Sequence, residues 1–303
     1  MLSGTVERYI ALHRATGYLF RGPSILLRSF ARYAESQGDE FVRASTALAW
    51  AARGPTAGTR RGRLLIVRRF ARLMHAEDGR HEAPPPGAYG PRPPRRTPHI
   101  FTQAEISALL KAASELGPPG SLRAKTYMTM LALIAATGLR ISEALALRLD
   151  DITDSGLLIR ETKFRKSRLV PVHHTTRLAL AAYLAAREMH AGADDAVFLS
   201  EWRTRLRYST VISTFLVLVR STGIREGPGK PGPRIHDLRH TLAARSLEQC
   251  TGGREAIARH MLALSTYLGH ARLADTYWYL QATPRLLADV AVRCEALAQR
   301  DPR

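Results

Sequence analysis

The sequence predicts a mainly helical protein with one small antiparallel β-sheet, divided into two domains. Three observations carry this expectation. Apolar residues recur at three- and four-residue spacing through most of the chain, the period of an amphipathic helix. β-prone runs are short and sit mid-chain, chiefly at 157–159 and 169–172. A proline-dense stretch, Pro84 to Pro98, breaks the helical pattern between them.

Residues 1–78 read as four helices. Val6 and Ile10 mark the first, which ends at Gly17. Pro23 opens the second, with Ile25, Leu26, Phe30 and Tyr33 on one side and Gly38 closing it. The third runs from about Asp39 to Arg53, and the fourth follows Gly58 with Leu64, Val67, Phe70 and Met74. Proline near starts and glycine past ends supports these limits. Residues 84–98 hold too many prolines for helix or central strand and predict an extended spacer. The expected organisation is therefore a helical domain over 1–83, a Pro/Arg-rich linker over 84–98 and a second domain over 99–303.

The second domain opens with Thr102 and Glu105 at capping-box spacing. Helices are expected to about Leu116, over 122–137 and over 139–148, the middle one apolar on all sides and so central to a core. Leu157-Leu-Ile159 and Leu169-Val-Pro-Val172 then form a hairpin around the basic string Lys163-Phe-Arg-Lys-Ser-Arg168. Val197-Phe-Leu199 is a candidate third strand. Helices complete the chain over 175–190, 208–222, 237–250, 254–264 and 284–299.

Composition narrows the partner. The 303 residues are 45% hydrophobic, enough for ordinary cores, and carry a formal charge of +19. Residues 1–98 hold 17 Arg and Lys against 7 Asp and Glu. Arginine dominates, and its planar fork fits phosphate oxygens in pairs. A polyanion, nucleic acid above all, is the expected partner. Arg60, Arg61 and Arg63 in the fourth helix, Arg95 and Arg96 in the linker, and Arg165 and Lys166 in the hairpin are the candidate DNA contacts. Cys250 and Cys294 have no metal-site or disulfide spacing and read as buried free thiols. No signal-like segment and no apolar run of membrane length occurs, so a cytoplasmic, nucleoid-associated protein is expected.

Chemistry concentrates in five separated pieces: Thr137-Gly-Leu-Arg140 with Glu143, Lys163, His236-Asp-Leu-Arg239, Leu268-Gly-His270, and Tyr279 nine residues beyond that histidine. Each alone is weak; their order and spacing together resemble the tyrosine recombinase (phage integrase, Xer-like) family over essentially the whole chain. The resemblance implies a helical, SAM-like core-binding domain followed by a mixed α/β catalytic domain. It implies Arg140, Lys163, His236, Arg239, His270 and Tyr279 as catalytic residues, with Glu143 supporting Arg140. Its nine-residue interval selects Tyr279 over Tyr277, and its hairpin pattern selects Lys163 over Lys166. The Tyr277-Trp-Tyr-Leu280 ending looks most like integrases of bacterial mobile elements. The implied activity is site-specific cleavage and rejoining of double-stranded DNA through a 3′-phosphotyrosine, by a homotetramer acting on two sites.

Physical chemistry supports the same assignment. Attack on a phosphodiester builds charge on its non-bridging oxygens, which preorganised cations stabilise. Arg140 and Arg239 are suited to that clamp, His236 to exchanging the tyrosine proton, and a lysine to protonating the leaving oxygen. No cofactor or metal is called for. A type IB topoisomerase is the alternative with nearly the same chemistry, and an inert DNA-binding accessory factor is the alternative from another class.

Overall fold

The computed structural model describes residues 1–91, 96–160, 167–190, 194–227, 229, 231–250, 253–270, 272–280 and 295. The chain divides into two compact units, Met1–Arg95 and Arg96–Arg303.

The first unit is built from α1 (Leu2–Ala15), α2 (Arg21–Ser36), α3 (Ala44–Ala52) and α4 (Ala57–Glu77). Their apolar stripes meet in one core of Leu2, Val6, Leu27, Phe30, Trp50, Val67 and Phe70. Burying each such side chain contributes roughly 1.5–3 kcal/mol, so this core can hold a four-helix unit. Helix α3 starts five residues later than its sequence suggests. Residues 42–44 are instead tied to the segment after α4: Val42 N–H donates to the His81 ring, Glu82 N–H to Val42 carbonyl, and Ala44 N–H to the Glu82 carboxylate. These bonds satisfy the backbone groups that a longer helix would have used.

The proline-rich stretch is not free-standing at its start. Arg68 donates to Pro84 carbonyl at 2.9 Å, and Arg61 donates to Tyr89 and Gly90 carbonyls at 3.0 and 3.2 Å. Tyr89 hydroxyl reaches Leu48 carbonyl at 2.7 Å. Residues 84–90 are thus strapped onto α4 and α3.

The second unit contains α5 (Gln103–Ser114), α6 (Leu122–Thr137), α7 (Ile141–Ala146), β1 (Ile152–Thr153), β2 (Gly156–Ile159), β3 (Arg168–Val170), α8 (His174–Glu188), α9 (Tyr208–Ser221), α10 (His236–Glu248), α11 (Arg254–Leu268) and α12 (Ala274–Leu280). The Thr102–Glu105 capping box forms at the start of α5. Helix α6 is the central element; Tyr127, Met130, Leu131, Leu133 and Ile134 are buried in the main core. Among the described residues, the strands form one antiparallel sheet in the order β1-β2-β3. Register pairs Leu157 with Val170 and Ile159 with Arg168, which fixes where Arg168 enters the fold.

The expected third strand at Val197-Phe-Leu199 is corrected. The sheet's third strand is β1, while Val197 N–H bonds Leu147 carbonyl and Leu149 N–H bonds Asp195 carbonyl. That pairing also ends α7 at Ala146, because Leu147 turns into extended backbone. Val197, Phe198 and Leu199 are buried as a core-filling segment instead. Apolar runs mark burial, and the choice between strand and irregular segment is made by their neighbours.

A small second cluster of Ala243, Leu247, Met261, Leu264, Leu268 and Tyr279 joins α10, α11 and α12. Cys250 lies just past α10 and is partly exposed, not buried as expected. Cys294 and the helix expected over 284–299 lie outside the described residues. Among the described residues, no helix is long and apolar enough to cross a membrane.

Candidate active site

The site grows from two helix ends. Helix α6 stops at Gly138, whose φ of 64° is left-handed and disfavours other residues. A Cβ there would also lie 2.8 Å from Leu242 and 2.9 Å from Leu268. The turn delivers Arg140 to the N-terminus of α7. Helix α11 stops at Gly269, again left-handed at φ 66°, and turns His270 back toward α10.

The last carbonyls of a helix lack intrahelical partners and carry its negative dipole end. Here three consecutive ones each receive an arginine. Tyr267 carbonyl accepts Arg168 Nε at 2.9 Å, Leu268 carbonyl accepts Arg239 at 2.6 Å, and Gly269 carbonyl accepts Arg140 at 2.9 Å. Arg239, only 1% exposed, also donates to Gly138 carbonyl at 2.6 Å. The two helix ends are therefore pinned through one guanidinium. Burial, and next the charge of Arg140, draw Arg239 down to about 10, which leaves it cationic at neutral pH.

Glu143 sits under the arginines. Its carboxylate accepts Arg140 at 2.6 Å and both forks of Arg168 at 3.0 and 2.8 Å, and it caps Arg140 N–H at 3.0 Å. Burial alone would raise this carboxyl. The Arg168 hydrogen bonds and the Arg140 backbone bond outweigh it and hold the group at about 2. Glu143 is permanently ionised at working pH.

Tyr279 is 2% exposed, and its proximity favours the charge on Arg239. Its ring lies 5.8 Å from His270 and 5.3 Å from His240, and His240 stacks edge-on to His236 at 4.6 Å. His270 Nδ1 meets Thr276 Oγ1 at 2.8 Å, three residues before Tyr279 on α12. Burial, followed by the charge of Arg239, depresses both His236 and His270 to about 4. Both imidazoles are neutral at pH 7. Tyr277, by contrast, is 51% exposed, as expected for a helical residue two places from a buried one.

The structure brings together Arg140, Glu143, His236, Arg239, His270 and Tyr279 in one chain. Lys163, Arg165, Lys166 and Arg95 lie outside the described residues. Of the other expected DNA contacts, Arg60 donates to Gly54 carbonyl, Arg63 stacks on Trp50 at 5.2 Å, Arg61 straps the proline segment and Arg96 donates to Gly232 carbonyl. Each is partly committed to holding its own unit. Sequence reasoning missed two residues. Thr276 gave no signal beyond its place in α12. Arg168 had one: it directly precedes the apolar Leu169-Val170, which puts it on the strand and not at the basic tip.

Two arginines, two neutral imidazoles and a buried phenol thus meet within one helical unit, an arrangement able to hold an anionic group. The model of the phage integrase family matches residues 99–285, and the chain belongs to that family. It is 37% identical to the integrase/recombinase y4rB of Sinorhizobium fredii, across 96% of both chains. It is 33% identical to the tyrosine recombinase XerD of Caulobacter vibrioides, across 79% of this chain and 75% of that one. Among solved structures it resembles the Tn1549 transposon integrase in complex with transposon right-end DNA, with a TM-score of 0.68, 16% identity, and coverage of 97% of this chain and 99% of that one. It also resembles a lambda integrase tetramer bound to a Holliday junction, with a TM-score of 0.64, 17% identity, and coverage of 92% and 76%.

Proposed function

We propose that this chain is a site-specific recombinase that cuts and rejoins double-stranded DNA through Tyr279. In the reading put forward, the Tyr279 oxygen attacks a backbone phosphorus and its proton passes to the neutral His236 imidazole. The bond to the 5′-oxygen breaks, that oxygen leaves as a hydroxyl after gaining a proton, and the 3′-phosphate stays on Tyr279. Lys163 is the expected donor of the leaving-group proton. Arg140, Arg239 and His270 bind the non-bridging oxygens as their charge grows. Arrival of the phosphate offsets the field of Arg239 and makes His236 more basic at the moment it must act. A 5′-hydroxyl from a second site then reverses the chemistry. The ester bond is conserved throughout, so exchange needs no nucleotide hydrolysis.

The observation that carries this reading is the buried Tyr279, its ring 5.8 Å from His270, in the same chain as Arg140, Arg239 and both histidines. It favours delivery of the tyrosine within one protomer. The Tn1549 and lambda integrase complexes with DNA support DNA as partner, and the lambda tetramer on a Holliday junction supports a homotetramer on two synapsed sites. Likeness to a transposon integrase favours a mobile element as the setting, with the bacterial cytosol as its location. Arg60, Arg61, Arg63, Arg95, Arg96, Arg165 and Lys166 would add phosphate contacts along the duplex.

The test is a nicked suicide substrate drawn from DNA flanking the gene, incubated with protein and resolved on a denaturing gel. A protein–DNA adduct with the wild type and none with Tyr279→Phe is expected. Absence of any adduct with the wild type, on DNA that it binds specifically, overturns the reading.

A further inference from the structure

We propose that Arg168 is a positioning residue for this reaction: it occupies Glu143 so that Arg140 remains available to the phosphate. The inference rests on the reading of the site as one that cleaves a phosphodiester.

Three observations carry it. First, the carboxylate is shared. Arg168 engages Glu143 through both terminal nitrogens, at 3.0 and 2.8 Å, whereas Arg140 uses one nitrogen at 2.6 Å. Second, the setting is dry on one side and open on the other. The side chains of Arg168 and Glu143 are 12% and 7% exposed, while that of Arg140 is 27% exposed and is the one that can meet a ligand. Third, Arg168 is held from behind. Its Nε donates to Tyr267 carbonyl, and a Cβ on Gly269 would lie 2.7 Å from its guanidinium.

Charge then decides the role. The trio of Arg140, Arg168 and Glu143 carries one net positive charge. Without Arg168 it would carry none, and the buried carboxylate would have Arg140 as its main cationic partner. An ion pair of that kind strengthens as its surroundings lose water. Arg140 would be drawn toward Glu143 and would face a phosphate as half of a neutral pair. The bidentate Arg168 removes that competition. It also sits on β3, paired with Ile159 at the base of the hairpin whose sequence carries Lys163, so the same side chain ties that hairpin to the end of α11.

A purely structural arginine makes a different prediction, and the second substitution separates them. Single-turnover adduct formation is measured at saturating suicide substrate, alongside DNA affinity and thermal melting, for R168M, R168K, E143Q and the double variant E143Q/R168M. Positioning predicts that R168M slows adduct formation roughly 10- to 100-fold, less than the about 10²–10³-fold loss from deleting a direct oxyanion donor. DNA affinity should change little. R168K, which keeps the charge and loses the fork, should fall between. The distinguishing result is the double variant: removing the carboxylate charge frees Arg140, so E143Q/R168M should react faster than R168M.

The inference is overturned if R168M reacts at the wild-type rate, or if the double variant is no faster than R168M while both melt cooperatively. If R168M does not fold, the comparison passes to R168K and E143Q/R168K, with the same expected recovery and the same overturning result. Wild-type adduct is the control: its absence sinks the recombinase reading, whereas its presence with unaffected Arg168 variants sinks this one alone.

Discussion

Arginines do different work in the two units, and burial makes the difference. In the first unit Arg60, Arg61 and Arg63 lie partly exposed on α4, each resting on a carbonyl or a ring of its own unit. In the second unit Arg239 is sealed from water and Arg140 is fixed from two sides. A half-exposed guanidinium keeps its hydration and meets a phosphate in high dielectric, where a contact contributes modestly and is screened by salt. A buried one has already lost its water and acts through a far stronger local field. Charge density alone, which is higher in the first unit, therefore says little about where chemistry happens.

The comparison can be broken most sharply at the tyrosines. Tyr279→Phe should abolish the covalent adduct on a suicide substrate, whereas the exposed Tyr277→Phe should react close to the wild-type rate. The reverse pattern would mean that burial marks packing here and not chemistry. Next come the arginines. Arg239→Ala should slow single-turnover cleavage by at least about 10²–10³-fold, and it strands the Gly138 and Leu268 carbonyls, costing about 1–3 kcal/mol in a urea melt. Arg61→Ala should leave the cleavage rate at saturating DNA unchanged.

The glycines that aim the site come third. Gly269→Ala puts a side chain into a left-handed turn, at a cost of roughly 1–2 kcal/mol, before any contact with Arg168 is counted. A lowered melting temperature, with slower cleavage, is the expected result. The pH response is subtler. His236 and His270 have folded pKa values of about 4, below the ordinary value of 6.5. Between those values the unfolded chain binds more protons than the folded one, so stability should fall as pH drops from 6.5 toward 4 and should level off above 6.5. Melting curves at stepped pH check the sign; a melting temperature that rises on acidification over this range would contradict it. The smallest effect belongs to the first unit. Arg60→Ala or Arg63→Ala should flatten the plot of log affinity against log salt by about 0.9 per lost phosphate contact.

Much of this molecule was legible in its sequence, for reasons that differ by residue. Helices α4, α5 and α6 announce themselves because periodicity, caps and stopping glycines agree. The pieces around Arg140, His236, Arg239, His270 and Tyr279 are legible because their residue types, order and spacing together resemble one family, and those types suit a phosphate. What stayed hidden depends on contacts between distant segments. Val197 to Leu199 has strand chemistry, yet its backbone is taken by the segment after α7. Arg61 looks like a phosphate contact until Tyr89 and Gly90 claim part of its guanidinium. Arg168 is one of four basic residues over 163–168, and only the β2–β3 register singles it out.

One detail of α11 has a geometric consequence. Its final carbonyls, on Tyr267, Leu268 and Gly269, hold arginines that come from β3, α10 and the start of α7. Successive residues of a helix climb about 1.5 Å and turn by one part in about 3.6 of a circle. The spacing of the three cations is therefore indexed against a helix end, not against the separate segments that supply them. A one-residue insertion between Leu264 and Tyr267 would shift all three anchors together relative to the packed Met261 and Leu264. Three charges gathered from across the unit share a single ruler.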